Sequence, residues 1–577
     1  MVKKINKFIK YFFQSKKGGE ISPDEILLDS RNLPNYDISQ FEGRIEQSIS
    51  KKALFTLVGA FFLIALIFVI QSFKLQVIHG QEYLTRSENN TLRPIPLFAG
   101  RGIITDRNGI QLAWNAPLEN ATSSDTVAVR RYATSTGLSH ILGYVKYPSK
   151  DNNGFYYQDD FEGEAGAEKY FDEQLQGIHG VRLVEVDAHN KVVSESMTRP
   201  SIQGKNVKLS IDSRVQSVLY QNIKDVAEKV GFAGGAGVIV DINSGQVIAL
   251  TSYPEYSSQV MSDKKDNNQI RAILNDKSLP FLDRAIDGLY TPGSIVKLFI
   301  ALGVLNEKII DPDKIIVTNG SLSIPNPYDD TKSTVFRDWK NHGPISMRQA
   351  LAVSSDVYFY TVGGGFKDQK GLGIRKIDEY LQMFGFGTTT LDNSSSFLIN
   401  KAGTIPTPEW KKKTFNEAWF VGNTYHTSIG QYGFQVTPIQ IARAVSAVAN
   451  NGTIYTPTIL ADEKPHIESV VPIPKSYFDI IHDGMRMSVT SGTSASLNIP
   501  FVEIAAKSGT AELGYSKEKI NSWMTGFWPY KNPRYAFVVM LEKGTVNYQI
   551  GAGAVIRQTL EWIRDNAPEY LNAGVAQ

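Results

Sequence analysis

The rhythm of hydrophobic and polar positions changes several times along this 577-residue chain. The first 52 residues are polar, with "KKGGEISPDE" reading as a turn. From Ala53 to Phe73 no charged residue occurs ("ALFTLVGAFFLIALIFVIQSF"), which matches the ~20 apolar residues a helix needs to cross a bilayer. "FKLQVIHGQEYLTRSENN" continues as a helical stalk. "RGIITDRNGIQLAWN" then places alternating apolar residues on both sides of a turn at Arg107-Asn108-Gly109, the pattern of a hairpin. "APLENATSSDT" reads as loop, "GEAGAEKYFDEQLQGIHG" as a short helix between glycines, and "VRLVEVDA" and "NVKLSID" as strands.

From about residue 206 the elements lengthen. "SRVQSVLYQNIKDVAEKV" carries apolar residues at helical spacing, and "AGVIVDINSGQVIALTSYP" is a hairpin of two apolar strands around Asn243-Ser244-Gly245. A long stretch from about 265 to 495 reads as helix-rich. The chain ends on the strands "FVEIAAKSGTAEL", "SWMTGFWPY" and "RYAFVVMLEKG" and the helix "GAVIRQTLEWIRD". Strands at both ends predict one sheet with a helical subdomain inserted, an α+β fold. The expected domains are a tail (1–52), a transmembrane helix (53–73), an α+β module of short elements (74–205) and a larger domain (206–577). The glycine-rich "GFAGGAG" leads into a strand, which makes it a poor phosphate loop.

Composition narrows this further. Sixty Lys and Arg against 58 Asp and Glu give no sign of a nucleic-acid partner. The absence of cysteine excludes disulfides, thiolate nucleophiles and cysteine-ligated metals. Lys3, Lys4, Lys7, Lys10, Lys16, Lys17, Lys51 and Lys52 precede the apolar run, so the N-terminus is expected in the cytoplasm and the bulk of the chain outside. The long apolar run, with a polar segment before it and no small-residue cleavage site after it, reads as an anchor rather than a signal peptide.

Candidate chemistry begins at "YTPGSIVKLF". A Pro-Gly turn delivers Ser294 to a helix start, and Lys297 follows at i+3 among apolar residues, on the same face. Burial disfavours an ammonium, and a neutral amine can take a serine proton. Free N–H groups at a helix start also suit a developing oxyanion. The competing reading is a serine N-cap with a lysine extended to solvent. Ser-x-x-Lys also occurs at Ser48/Lys51, Ser262/Lys265 and Ser516/Lys519, each among charges, where a solvated surface is the simpler reading.

Two later segments decide between these readings. "AVSSDVYFY" sets Ser354-Ser355-Asp356 between apolar residues, and "AAKSGTAEL" sets Lys507-Ser508-Gly509-Thr510 in an apolar strand. The glycine there suits close approach by a ligand. Ser-x-x-Lys, Ser-x-Asn/Asp and Lys-Thr/Ser-Gly in this order are the signature of the penicillin-interacting serine enzymes. The chain resembles the class B penicillin-binding proteins, and most of all the elongation-type PBP2 transpeptidases. "RGIITDRNGIQLAWN", "RRYATSTGLSHILGYV" and "GAEKYFDEQLQGIHG" look like the family's pedestal motifs. "FRDWKNHGPISMRQALAVSSDVYFY" and "SIGQYGFQVTPIQIARAVSAVANNG" match its catalytic domain in order. Asp356, where division-type relatives usually carry Asn, favours the PBP2 branch.

The resemblance implies a penicilloyl-serine transferase domain with an antiparallel five-stranded sheet, on a pedestal of the family's dimerisation type. It implies that Ser294 is acylated by the penultimate D-alanine of a peptidoglycan stem peptide, with Lys297 as base. Ser354 relays protons between Lys297, Lys507 and the amine, Asp356 orients the site, and Lys507 supplies positive potential. Ser355, Ser508, Gly509 and Thr510 contact substrate, and the N–H groups of Ser294 and Thr510 form the oxyanion hole. β-Lactams are expected to trap the same serine. No cofactor and no metal is implied, and His342, four residues after Asp338, reads as structural. Implied partners are a RodA-type SEDS glycosyltransferase in the membrane and MreC-like elongation factors. Departures are a short segment between "LAWN" and "RRYAT", where the family carries an insertion, and Asn423 and Tyr432, where relatives often have Asp and Gly. A division-type transpeptidase, a D,D-carboxypeptidase or β-lactamase, and a non-catalytic scaffold stay open as alternatives.

Overall fold

The computed structural model describes residues 50–84, 92–117, 128–151, 156–186, 192–326, 329–389, 397–398, 400–514, 517–547 and 550–571. The polar tail up to residue 49, the end of the stalk, most of "APLENATSSDT", and Ser48 and Ser516 lie outside these. The chain forms two compact units, 1–91 and 92–577.

In the first unit the apolar run is a helix, α1 (Lys51–Phe73), prolonged by one wider turn over Lys74–Ile78. Ser50 caps it, its Oγ accepting the Ala53 N–H at 3.2 Å. None of its residues is buried, and Lys51–Ile78 is long and apolar enough to cross a membrane.

The second unit begins with the short elements expected before residue 206. The predicted hairpin forms between Ile104–Thr105 and Gln111–Ala116, Val129–Tyr132 extends it, and Val207–Lys208 joins in parallel. Beneath them Glu168 is fully buried between two arginines: Oε2 is 2.6 Å from Arg101 Nε and Oε1 is 2.7 Å from Arg130 Nε. Asp172 adds a 2.7 Å contact to Arg101. The predicted single helix here is two short ones, Gly166–Tyr170 and Asp172–Gln176, broken at Phe171.

The larger part opens with α2 (Ser213–Val230), capped by the Asp212 carboxylate and closed by Gly231 in the left-handed conformation. β1 (Gly234–Asp241) and β2 (Val247–Tyr253) form the predicted hairpin. Helices α3 (Lys297–Asn306), α4 (Met347–Val353), α5 (Asp356–Gly364), α6 (Val421–Ser428), α7 (Pro438–Ala449) and α8 (Lys475–Ser491) follow. The chain then returns as β3 (Ala505–Leu513), β4 (Lys519–Trp528), β5 (Tyr535–Thr545) and α9 (Ala552–Asn566). The sheet is antiparallel, five-stranded, in the order β2-β1-β5-β4-β3, as the resemblance implies.

All of β1 is buried, which explains its unbroken apolar sequence: both faces are covered. Val238 and Val240 pack with the helical subdomain, while Ile239 packs with α2 and α9. Three strand pairs depart from the helix-rich expectation: two short ones, Ile316–Thr318 with Gly343–Ile345 and Thr453–Tyr455 with Ile467–Val470, and one longer. Ser321–Asn326 and Asp329–Arg337 pair as a hairpin, whose polar, threonine-rich strands carry too few apolar residues to give a clear period. That hairpin forms one wall of the site described next.

Candidate active site

Ser294 does not begin an α-helix. Gly293–Val296 is one 3-10 turn, and α3 starts at Lys297. The turn is held on three sides: Gly293 N–H donates to Gly430 O at 2.9 Å, Trp523 Nε1 of β4 donates to Thr291 O at 3.0 Å, and Tyr290 bridges Val436. Gly293 has φ +60°, and a Cβ there would stand 2.7 Å from Thr510 O. Only glycine lets the nucleophile's turn lie this close to the edge of β3. Ser294 Oγ makes no hydrogen bond among the described residues.

Every residue from Lys297 to Leu305 is buried, so the Lys297 amine points into protein. It does not lie there unpaired. Nζ is 2.6 Å from Asp356 Oδ1, 2.8 Å from Ser354 O and 3.4 Å from Ser354 Oγ, with the Phe359 ring 5.5 Å away. The amine that the sequence places among apolar residues therefore has a carboxylate partner at contact distance.

Ser354 sits between the two lysines. It ends α4 in the left-handed conformation (φ 57°, ψ 40°), a backbone state costing about 1–3 kcal/mol for a residue with a side chain. That geometry aims its Oγ at Lys507 Nζ, 2.7 Å away. Lys507, in mid β3, also donates to Ser508 O at 2.9 Å. Burial, reinforced by the charge of Lys297 and opposed by Asp356, holds the Lys507 amine well below the usual lysine range. The expected source of positive potential is thus a group whose surroundings disfavour its charge.

A stability prediction follows. Lys507→Met is expected to stabilise the fold at pH 7 by roughly 1 kcal/mol or more, since it removes a buried amine. The unfolded lysine keeps its proton up to about 10.4 while the folded one gives it up earlier. Wild-type stability therefore rises with pH across that interval, and the variant's advantage shrinks. Urea unfolding at pH 7 and pH 9.5 measures both; an advantage that grows with pH would contradict the assignment.

The serine, Ser354, Asp356, Ser508 and Thr510 line one cleft of about 1260 Å³. Ser508 Oγ donates to Thr493 Oγ1 at 2.6 Å, a cleft residue with no distinctive sequence context. Two expected substrate contacts are not placed there. Ser355 is fully buried: its Oγ caps α5 through the Tyr358 N–H and donates to Asp338 Oδ2 at 2.7 Å. Gly509 faces inward, where a Cβ would meet Ile295 at 2.9 Å and Pro292 O at 3.1 Å. Its lack of a side chain serves approach of the nucleophile's turn rather than of a ligand.

Further residues line the cleft, of which His426 and Lys517 carry no signal in the sequence. They are Phe336 and Arg337 from the hairpin, Asp338 just after it, His426 from α6, Glu512 near the end of β3, and Lys517. Asp338 Oδ2 also accepts the Val357 N–H at 3.0 Å, and its Oδ1 is 3.5 Å from His342 Nε2. His342 packs edge-on against Trp339, 5.1 Å between centroids. Asn423 stands behind the cleft, its Oδ1 accepting from Lys411 Nζ at 3.1 Å and from Phe420 N–H at 2.9 Å. Tyr432 lines the cleft itself, with Lys411 Nζ 5.8 Å from its ring.

Comparison with known proteins agrees with this geometry. Residues 121–209 match the penicillin-binding protein dimerisation domain. The peptidoglycan D,D-transpeptidase MrdA of Escherichia coli K12 is 27% identical over 618 aligned residues, covering 89% of this chain and 94% of the relative. The crystal structure of Pseudomonas aeruginosa PBP2 in complex with WCK 5153 superposes with a TM-score of 0.67 at 27% identity, covering 84% of this chain and 100% of that one. Helicobacter pylori PBP2, in its complex with MreC, gives 0.66 at 25% identity, with coverage of 83% and 100%. The model for the penicillin-binding protein transpeptidase domain matches residues 235–561, more than half of the chain and all three motifs, and on that ground the protein belongs to the penicillin-binding protein transpeptidase family.

Proposed function

We propose that this protein is a peptidoglycan D,D-transpeptidase of the elongation type, which cross-links stem peptides through an ester on Ser294. The observation that carries the reading is the junction at Ser354, where one hydroxyl meets Lys297 of the first motif and Lys507 of the third, above the cleft that Ser294 lines. Lys297 takes the Ser294 proton as Oγ attacks the penultimate D-alanine carbonyl. Ser354 passes a proton to the leaving amine, and Asp356 fixes the Lys297 amine in place. The N–H groups of Ser294 and Thr510 stabilise the oxyanion, and Ser508 and Thr510 hold the substrate carboxylate. An amine of a second stem peptide then attacks the ester.

The apolar helix anchors the chain as a single span, with the tail cytoplasmic and the pedestal (74–205) and transpeptidase domain (206–577) outside. The lysines ahead of the span support that orientation. No part of this reading supplies glycan polymerisation, so a RodA-type polymerase is the expected membrane partner. The likeness to the H. pylori PBP2 that forms a complex with MreC supports an MreC-like partner at the pedestal.

The test is to give the full-length protein in detergent a pentapeptide-bearing peptidoglycan substrate. Cross-linked dimers with stoichiometric D-alanine release, both blocked by penicillin, are expected. D-Alanine release without dimers would replace this reading with a carboxypeptidase.

A further inference from the structure

The cleft contains more proton-accepting groups than acylation needs, and nearly all of them are engaged. Lys297 is held by Asp356 and Ser354, and Lys507 donates to Ser354 and Ser508. Asp338 accepts from Ser355 and Val357, and Glu512 is ion-paired with Lys517 at 2.6 Å. His426 is the exception. It projects from α6 into the same cleft as Ser294 and Asp356. Its ring is wedged between Phe336 (5.5 Å between centroids) and Tyr360 (6.3 Å). Neither ring nitrogen makes a hydrogen bond among the described residues. Tyr360 stands one helical turn after Asp356 on α5, and Asp356 lines the same cleft as the imidazole.

We propose that His426 is the acceptor-side base: its neutral imidazole takes the proton shed by the incoming amine as that amine attacks the Ser294 ester. The assignment rests on the transpeptidase reading. The amine nitrogen bonds to the acyl carbon and loses one proton to the imidazole. The bond from carbon to Ser294 Oγ then breaks with its electron pair on oxygen, and the imidazolium returns the proton to that oxygen through cleft water. Acylation has no such demand, because there the amine departs and needs a proton instead.

The surroundings keep the imidazole in the required form. Asp356 and Tyr360 face it from α5, Glu512 from β3, then Lys517, and Arg337 and Asp338 follow Phe336 in the chain. Burial outweighs the rest and lowers the His426 pKa from its ordinary value; Lys517 adds to this, while Asp356 and Glu512 oppose it. The ring is therefore neutral at pH 7 and gains its proton on acidification.

The experiment uses the full-length protein in detergent, a D-alanyl thioester as acyl donor, and as acceptor the side-chain amine of a diamino acid, which unlike D-alanine is not the amine that departs in acylation. The quantity read is the ratio of aminolysis to hydrolysis of the acyl-enzyme. In His426→Ala and His426→Asn this ratio is expected to fall about 10²–10⁴-fold, the range of a lost general base. The acidic limb of wild-type aminolysis should vanish in both variants. Labelling of each by fluorescent penicillin shows that the Ser294 site remains assembled. If both variants keep the ratio within twofold, or keep the acidic limb, the assignment is wrong. A wild type that is acylated but never transfers to the amine overturns the transpeptidase reading and this assignment with it.

Discussion

Ser294→Ala is expected to bring covalent labelling by fluorescent penicillin down at least ~10³-fold, to background, and to abolish cross-linking with it. The reason is chemical. Ser294 is the hydroxyl placed on the turn beside β3, lining the cleft in which Ser354 and Asp356 also lie. Its Oγ supports none of the surrounding hydrogen bonds, so the contacts of Ser354 with both lysines remain when it is removed. The variant should consequently unfold within about 0.5 kcal/mol of wild type. It should still bind a β-lactam reversibly while failing to retain it after denaturation. Peptide mapping of the labelled wild type locates the ester; a stable adduct on any other residue, or undiminished label on the variant, would overturn the assignment of the nucleophile.

Glu168→Ala carries the largest expected effect on stability. Its carboxylate is the shared partner of two buried guanidinium groups, at 2.6 Å and 2.7 Å, with side chains at most 1% exposed. Asp172 reaches only Arg101, and Asn115 Oδ1 gives Arg130 one neutral contact at 3.0 Å. Truncation leaves Arg130 without a counter-charge in a dry site, and breaking a buried pair in this way costs about 3–5 kcal/mol. Urea or thermal unfolding reads that loss. Glu168→Gln keeps an acceptor oxygen and should lie between the two. The pedestal is joined to the catalytic part through Glu255, which accepts the N–H groups of Gly137 and Ser139, and through Asp106, which accepts the Ser213 N–H and Oγ–H. The temperature at which penicillin labelling is lost should therefore fall in Glu168→Ala although no cleft residue has changed. A loss below 1 kcal/mol would mean the triad is solvated in solution.

The chain alone determined a large share of this protein, and for a local reason. Periodicity and caps act over a few residues, so α1, α2, the β1–β2 hairpin and the strand character of β3 follow from neighbours in sequence. Ser294 and Lys297 were legible in the same way, because a Pro-Gly turn and an i, i+3 spacing lie within one short segment. What only the tertiary structure decided concerns groups brought together from far apart. Ser354 meets Lys507 across 153 positions, and it does so from the left-handed residue that closes α4. The same closure set Asp356 against Lys297, giving that buried amine a partner, and buried the Lys507 amine so that it is held below the usual lysine range. It turned Ser355 inward as a helix cap and Gly509 toward Ile295, since neighbours in a motif point to different sides of their elements. His426 lies just before a matched segment, and nothing local marks a histidine as facing a cleft. Its role depends on Phe336, Tyr360 and the β3 end, which the sequence keeps far apart and packing makes adjacent.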